Sequence, residues 1–225
     1  MKKIVLFLMF SVTVFAQEHN PKELLGKIQN EFEKIKDYSV DIDIKIDVNF
    51  VDAPPSKAKL FFKQPDKIRI KSDGFAIIPK QGLSFSPSQL LTEPYSAIFI
   101  KTEVIDSFTV DVLKVVPLTD SSNIILSTLW IDPLYKVIRK IESVTKKMGT
   151  ITVDLYYNHP EVEILPSKAK FFFNVAATGH AAMFKEDSGI ESNKEKKGIS
   201  GTVIINYSNY KLNQNLPDSL FVEEE

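Results

Sequence analysis

There is no cysteine among the 225 residues. That absence excludes disulfide staples, thiolate metal ligands and cysteine nucleophiles at once. It also excludes the lipid-modified cysteine by which bacterial lipoproteins are tethered. Glycine is scarce, with eight residues, and neither a phosphate-cradling glycine loop nor a Gly-x-Ser-x-Gly elbow occurs. The three histidines, His19, His159 and His180, stand far apart, none at metal-ligand spacing from another and none beside a nucleophile. A formal charge of −1 offers no basic excess for nucleic acid. From this inventory we expect no enzyme, no cofactor, no metal and no nucleic-acid partner.

What is abundant is apolar surface: 16 phenylalanines against a single tryptophan. From residue 40 to residue 50 every second position is apolar, namely Val40, Ile42, Ile44, Ile46, Val48 and Phe50. Asp41, Asp43, Lys45, Asp47 and Asn49 alternate with them. Period-two alternation marks a strand with one buried and one solvated face, here roughly 36 Å long. The aspartates share the solvated face at about 7 Å per two-residue step, too far apart to chelate a cation together. The apolar wall opposite them needs a cover.

The N-terminus carries Lys2 and Lys3, an apolar run through Phe15, and Val14-Phe15-Ala16 at a cleavage-like position. This reads as a secretory signal cut after Ala16, because about a dozen apolar residues are too few to cross a ~30 Å hydrocarbon core. Residues 17–225 are then expected to form one domain, exported and untethered. Residues 20–37 read as a helix. Asn20 is the N-cap, Pro21 occupies the first helical position, and Leu24, Leu25, Ile28, Phe32 and Ile35 make one apolar face.

Strand patterns follow at 57–63, 67–72, 75–78, 97–104, 107–116, 124–131, 136–145, 150–157, 168–175 and 201–210. Pro54-Pro55, Gln64-Pro65, Asp73-Gly74, Asp132-Pro133 and Pro166 punctuate them. A short second helix is read at 86–91, capped by Ser86, and a charged loop at 185–198. Ser56-Lys57-Ala58-Lys59-Leu60-Phe61-Phe62 nearly recurs as Ser167-Lys168-Ala169-Lys170-Phe171-Phe172-Phe173. Shared strand chemistry after a proline explains this, because the likeness does not extend along the chain. The expected fold is mainly β: one antiparallel, barrel-like sheet of about 10–11 strands, with the N-terminal amphipathic helix and the short second helix to cover its open side.

Four stretches resemble the LolA family of periplasmic lipoprotein carriers. Leu24-Leu25-Gly26-Lys27-Ile28 leading to Tyr38-Ser39-Val40-Asp41 resembles the family's opening helix and first strand. Phe61-Phe62-Lys63-Gln64-Pro65-Asp66-Lys67-Ile68-Arg69 resembles its strand, proline turn and next strand. Trp130-Ile131-Asp132-Pro133 with Ile138-Arg139-Lys140-Ile141 resembles its central hairpin. Tyr210-Lys211-Leu212-Asn213 and Leu216-Pro217-Asp218-Ser219-Leu220-Phe221 resemble its closing segment. The resemblance implies an unclosed antiparallel half-barrel lidded by helices, and a periplasmic carrier that shelters lipoprotein acyl chains on the way to the outer membrane. It also implies an inner-membrane release complex and an outer-membrane acceptor as partners. One departure stands out: Gln64 occupies the place before the turn proline where the family has an arginine that helps hold the lid. Glutamine can still hydrogen-bond to backbone carbonyls, without the charge.

Alternation assigns Ile42, Ile44, Ile46, Leu60, Phe62, Ile68, Ile70, Phe171 and Phe173 to an acyl-chain cavity, and Leu24, Ile28 and Phe32 to its lid. A solid core built from the same residues is the alternative. Arg69 and Arg139, the two arginines, are expected to face outward on strands, with polar contacts near the cleft as the alternative. The protein is expected to act as a monomer. Two other functions fit the same pattern: a carrier or sensor of another lipophile (phospholipid, glycolipid or pigment), and an envelope interaction module without a ligand.

Overall fold

The computed structural model describes residues 20–48, 54–72, 94–146, 149–160, 164–175 and 199–222. The expected export signal, the strand at 75–78, the short helix at 86–91 and the loop at 185–198 lie outside these residues. The helix α1 spans Pro21–Glu33 and is followed by β1 (Asp37–Val48), β2 (Ser56–Lys63) and β3 (Lys67–Ser72). Then come β4 (Tyr95–Ile105), β5 (Phe108–Pro117), β6 (Ile124–Asp132) and β7 (Val137–Thr145). β8 (Gly149–Tyr156), β9 (Lys168–Val175), β10 (Ile199–Leu212) and a 3-10 turn at Asp218–Phe221 complete the order.

The ten strands of the described residues form one antiparallel sheet in the order β3-β2-β1-β10-β9-β8-β7-β6-β5-β4. β3 and β4 follow each other in sequence yet form the two opposite edges, so the sheet is unclosed. The expected unclosed half-barrel is therefore the fold. The β1–β10 pair depends on Gly201, where a Cβ would sit 2.5 Å from Val48 Cγ1 and 2.6 Å from the Asp47 carbonyl oxygen. The two similar Lys-Ala-Lys strands, β2 and β9, flank this pair on either side.

α1 is shorter than the 20–37 expected from periodicity. It stops because Asp37 is drawn into β1, its carboxylate buried and accepting from the backbone N–H groups of Gln214 at 2.7 Å and Leu216 at 3.3 Å. Ile35 leaves the helix but stays buried. Leu25, Ile28, Phe32 and Ile35 sink into a cluster with Val40, Ile42, Ile44, Leu60, Phe62, Leu113, Leu129, Ile141, Phe171 and Ile205. Each such side chain contributes roughly 1.5–3 kcal/mol by leaving water.

Arg139 corrects the expectation of a solvated outward arginine. It is the extra residue at the register shift between β6 and β7, and only 8% of it is exposed. Its guanidinium holds Asp132 Oδ2 through Nε at 3.0 Å and one terminal nitrogen at 2.8 Å, and it lies 3.3 Å over the Phe108 ring. Asp132 Oδ1 meanwhile accepts from the N–H groups of Leu134 and Tyr135, closing the turn. The Trp-Ile-Asp-Pro hairpin is thus a locked structural corner. Nearby, Trp130 lies opposite Val112 and under the Lys140 ammonium, 4.9 Å away.

Candidate functional site

The register aligns one continuous apolar row across eight strands. Ile46 pairs with Val203, Val203 with Phe171, Phe171 with Val153 and Val153 with Ile141. Ile141 pairs with Leu129, Leu129 with Leu113, and Leu113 with Phe99 on the β4 edge. On the other side, Leu60 faces Ile70 and Phe62 faces Ile68. One step along, the row turns partly polar: Ser127 and Ser143 are buried directly opposite each other, their hydroxyls 2.7 Å apart. The unpaired hydroxyls would each cost free energy in this apolar wall, and their mutual bond removes that cost.

α1 lies across this face. Its C-terminal end reaches β2, where the Phe32 ring meets Phe62 edge-on at 6.1 Å and Tyr38 stacks on Phe62 at 5.0 Å. Burial pushes the Tyr38 phenol well above its ordinary range, so it stays neutral. At the N-terminal end the helix stands off the sheet and leaves a cleft of about 230 Å³. Leu24 and Pro21 form the helix side of this cleft, and Phe99, Leu113 and Pro133 the sheet side. Glu23, Lys27, Asp111 and Lys136 supply its polar margin. Asp111 is buried and accepts from the Thr102 hydroxyl at 2.8 Å.

The last carbonyls of a helix lack intrahelical partners. Here each has one. Gln64 Nε2 donates to the Ile35 carbonyl at 2.7 Å and lies 3.4 Å from that of Phe32. Asn213 Nδ2 donates to the Lys34 carbonyl at 3.1 Å, and Lys36 Nζ to that of Glu33 at 2.7 Å. The Gln64 backbone N–H donates to the Lys36 carbonyl at 2.9 Å, and Asn213 Oδ1 accepts from the Lys36 N–H at 2.7 Å. The first turn is capped from within, Asn20 Oδ1 accepting from the Glu23 N–H at 3.2 Å. Glutamine thus reaches the helix carbonyls from the position where the resemblance expects arginine.

Of the residues assigned to the cavity, Ile42, Ile44, Leu60, Phe62 and Phe171 lie in the buried cluster, together with the lid residues Ile28 and Phe32. Ile46, Ile68, Ile70 and Leu24 are half-buried against it, and Phe173 is half-buried opposite Ile151. Leu24 alone of the twelve lines the cleft. Phe99, Leu113, Pro133 and Lys136 were missed. Phe99 and Leu113 do sit in alternating strand patterns, but only topology reveals that β4 and β5 come to lie under the helix. Asp41 and Asp43 hold no shared site: Lys59 binds Asp41 at 2.9 Å and Lys57 lies 3.6 Å from Asp43.

No family model matches the chain, and no curated protein does. Solved structures match across most of it. A DUF1329 family protein from Desulfovibrio piger aligns with a TM-score of 0.57 and 8% identity, over 89% of this chain and 95% of that one. A LolA superfamily protein from Nitrosomonas europaea gives 0.52 and 12%, over 90% and 97%. A domain described as an outer membrane lipoprotein-sorting protein, from Vibrio parahaemolyticus, gives 0.51 and 12%, over 89% and 95%. At such identities the likeness is one of fold. The fold is LolA-like.

Proposed function

We propose that this protein is a periplasmic carrier that shelters the acyl chains of lipoproteins and moves them towards the outer membrane. The observation that carries this reading is a single helix, fastened at one end, lying over an unbroken apolar row and overhanging a cleft. Two of the solved neighbours with this fold, a LolA superfamily protein and a lipoprotein-sorting domain, support it. At about 230 Å³ the cleft is smaller than the roughly 300–1,000 Å³ of a typical ligand pocket. Cargo therefore enters by lifting α1, and the acyl chain takes the place of the helix side chains against the row.

The magnitudes nearly balance. Uncovering Leu25, Ile28 and Phe32 costs on the order of 5–9 kcal/mol. Burying an acyl chain of about 15 methylenes returns about 12 kcal/mol. A single chain binds weakly on these terms, and a cargo with more than one chain binds well but remains releasable. No catalytic step is required. Inner-membrane and outer-membrane protein partners would supply and accept the cargo.

The absence of cysteine makes the test clean. Leu24→Cys and Phe99→Cys, introduced together and joined by a short bis-maleimide, tie the helix to the sheet across the cleft. The joined protein should take up no multi-chain acyl probe, while the unjoined double variant takes it up normally. Equal uptake by both would sink the lifting-helix reading. Mass spectrometry of material extracted from the exported protein identifies the cargo, and phospholipid in place of lipoprotein would change the cargo assignment.

A further inference from the structure

The outer face of β2 and β3 carries six cations in two adjacent rows: Lys57, Lys59 and Lys63 on one strand, Lys67, Arg69 and Lys71 on the other. Lys59 stands directly opposite Lys71, and Lys63 directly opposite Lys67. Like charges opposed across a ladder are destabilising, so this strip calls for anions. Part of that demand is met within the described residues. Asp43 and Asp41 accompany Lys57 and Lys59, and Asp218 binds Lys63 at 2.7 Å and Lys67 at 3.1 Å. Three carboxylates answer six cations, leaving a surplus of three positive charges.

The chain's own C-terminal segment already runs along this strip. The Leu216 carbonyl accepts from Lys63 Nζ at 2.8 Å, Asp218 bridges Lys63 and Lys67, and the Val222 carbonyl accepts from Arg69 at 3.3 Å. Its direction is that of β3, from Lys67 towards Lys71. Lys71 lies about 7 Å beyond Arg69, within the roughly 10 Å that three extended residues span. There a groove of about 510 Å³ opens, walled by Lys57, Lys59 and Lys71 with Phe61 beside them. The three residues that follow Val222 are Glu223, Glu224 and Glu225.

We propose that this groove is an anion-docking site whose occupant is the segment Glu223–Glu225 of the same chain. Two carboxylates stand against the groove's three lysines, which leaves Lys71 in excess with Arg69 beside it, and the direction and reach of the segment bring its glutamates to them. Asp41 and Asp43 also face the groove, but Lys59 and Asn209 hold the first and Lys57 accompanies the second. The docked segment continues a strap that passes Asn213 and Gln214 at the C-terminal end of α1, so the basic strip and the helix anchorage share one piece of chain.

Zero-length carbodiimide crosslinking of the full chain, read by mass spectrometry, tests the assignment. At low salt Glu223–Glu225 should join Lys57, Lys59 or Lys71, and those links should be lost at high salt and in the Lys59→Gln, Lys71→Gln pair. These are exposed positions, and a thermal melt of the double variant confirms that it folds. Links made no more often to these three lysines than to Lys101 and Lys146 would overturn the proposal. So would sedimentation of the full chain with phosphatidylglycerol vesicles that the double variant loses, because the strip would then be a membrane-facing surface with its tail elsewhere.

Discussion

At its C-terminal end α1 is fastened by two separate parts of the chain, whereas at its N-terminal end it caps itself and overhangs a cleft. Gln64 arrives from the β2–β3 turn, Asn213 from the end of β10, and Asp37 ties the following tail beneath. Beyond the buried Leu25, the opposite end borders a partly open space that Pro21 and Leu24 line on the helix side. A cover held equally at both ends could open only by detaching from the sheet altogether. A cover held at one end can swing, keeping its register while uncovering the apolar row from the β4 edge inwards.

The largest effect should come from Phe62. It is 2% exposed and packed against both Phe32 and Tyr38 at the fastened end. Phe62→Ala should cost about 3–5 kcal/mol in denaturant unfolding, through lost transfer energy and the cavity left behind. Leu24→Ala, at the overhanging end, should leave the unfolding midpoint nearly unchanged and instead weaken retention of an acyl probe. Equal destabilisation by the two variants would erase the contrast between the ends.

The next effect concerns the fastenings. Asp37→Ala removes the carboxylate that accepts from the N–H groups of Gln214 and Leu216, a cost of roughly 1.5–3 kcal/mol for hydrogen bonds to a charged group. Gln64→Ala frees the Ile35 carbonyl and should cost about 1 kcal/mol. Hydrogen exchange should quicken at residues 34–37 in both variants. Gln64→Arg sharpens the same comparison in the other direction, because a guanidinium adds charge-assisted bonds at the negative end of the helix. That variant should hold the helix down harder and slow probe uptake. Faster uptake would show that Gln64 is not a fastening.

The sheet was legible in the sequence because its signal is local: alternation marks each strand, and proline and glycine mark the breaks. β3 and β9 have the expected limits, and the others shift by a few residues at their ends. The end of α1 was misread because what terminates it is the buried carboxylate of Asp37, whose partners lie at Gln214 and Leu216. Periodicity carries no information about so distant a contact. Arg139 was misread for a related reason. A strand bulge and the Phe108 ring bury it, and neither shows in the alternation of β7. Alternation gives an apolar face residue by residue, yet of the residues expected at the cleft only Leu24 lines it. Alternation says which face is greasy, but the strand order decides where the helix fails to cover it.

The smallest effect is one of pH, and it separates the strap from the fastenings above it. Hydrogen bonds and charge attraction from Lys63 and Lys67 hold the Asp218 carboxyl below its ordinary range. A depressed folded value means that its stabilisation is complete above the ordinary aspartate value and is lost as the pH falls through the folded one. Asp218 is well exposed, so screening keeps the effect slight. Between pH 5 and 8 the contacts of Leu216–Val222 with Lys63, Lys67 and Arg69 should therefore not change. In stronger acid the tail resonances should move, following the protonation of Asp218, before those of Asn213 and α1. An NMR titration reads both. Tail and helix resonances moving together in acid would mean that the strap and the fastened end of the helix behave as one unit, and that the comparison between the two ends of α1 extends along the whole C-terminal segment.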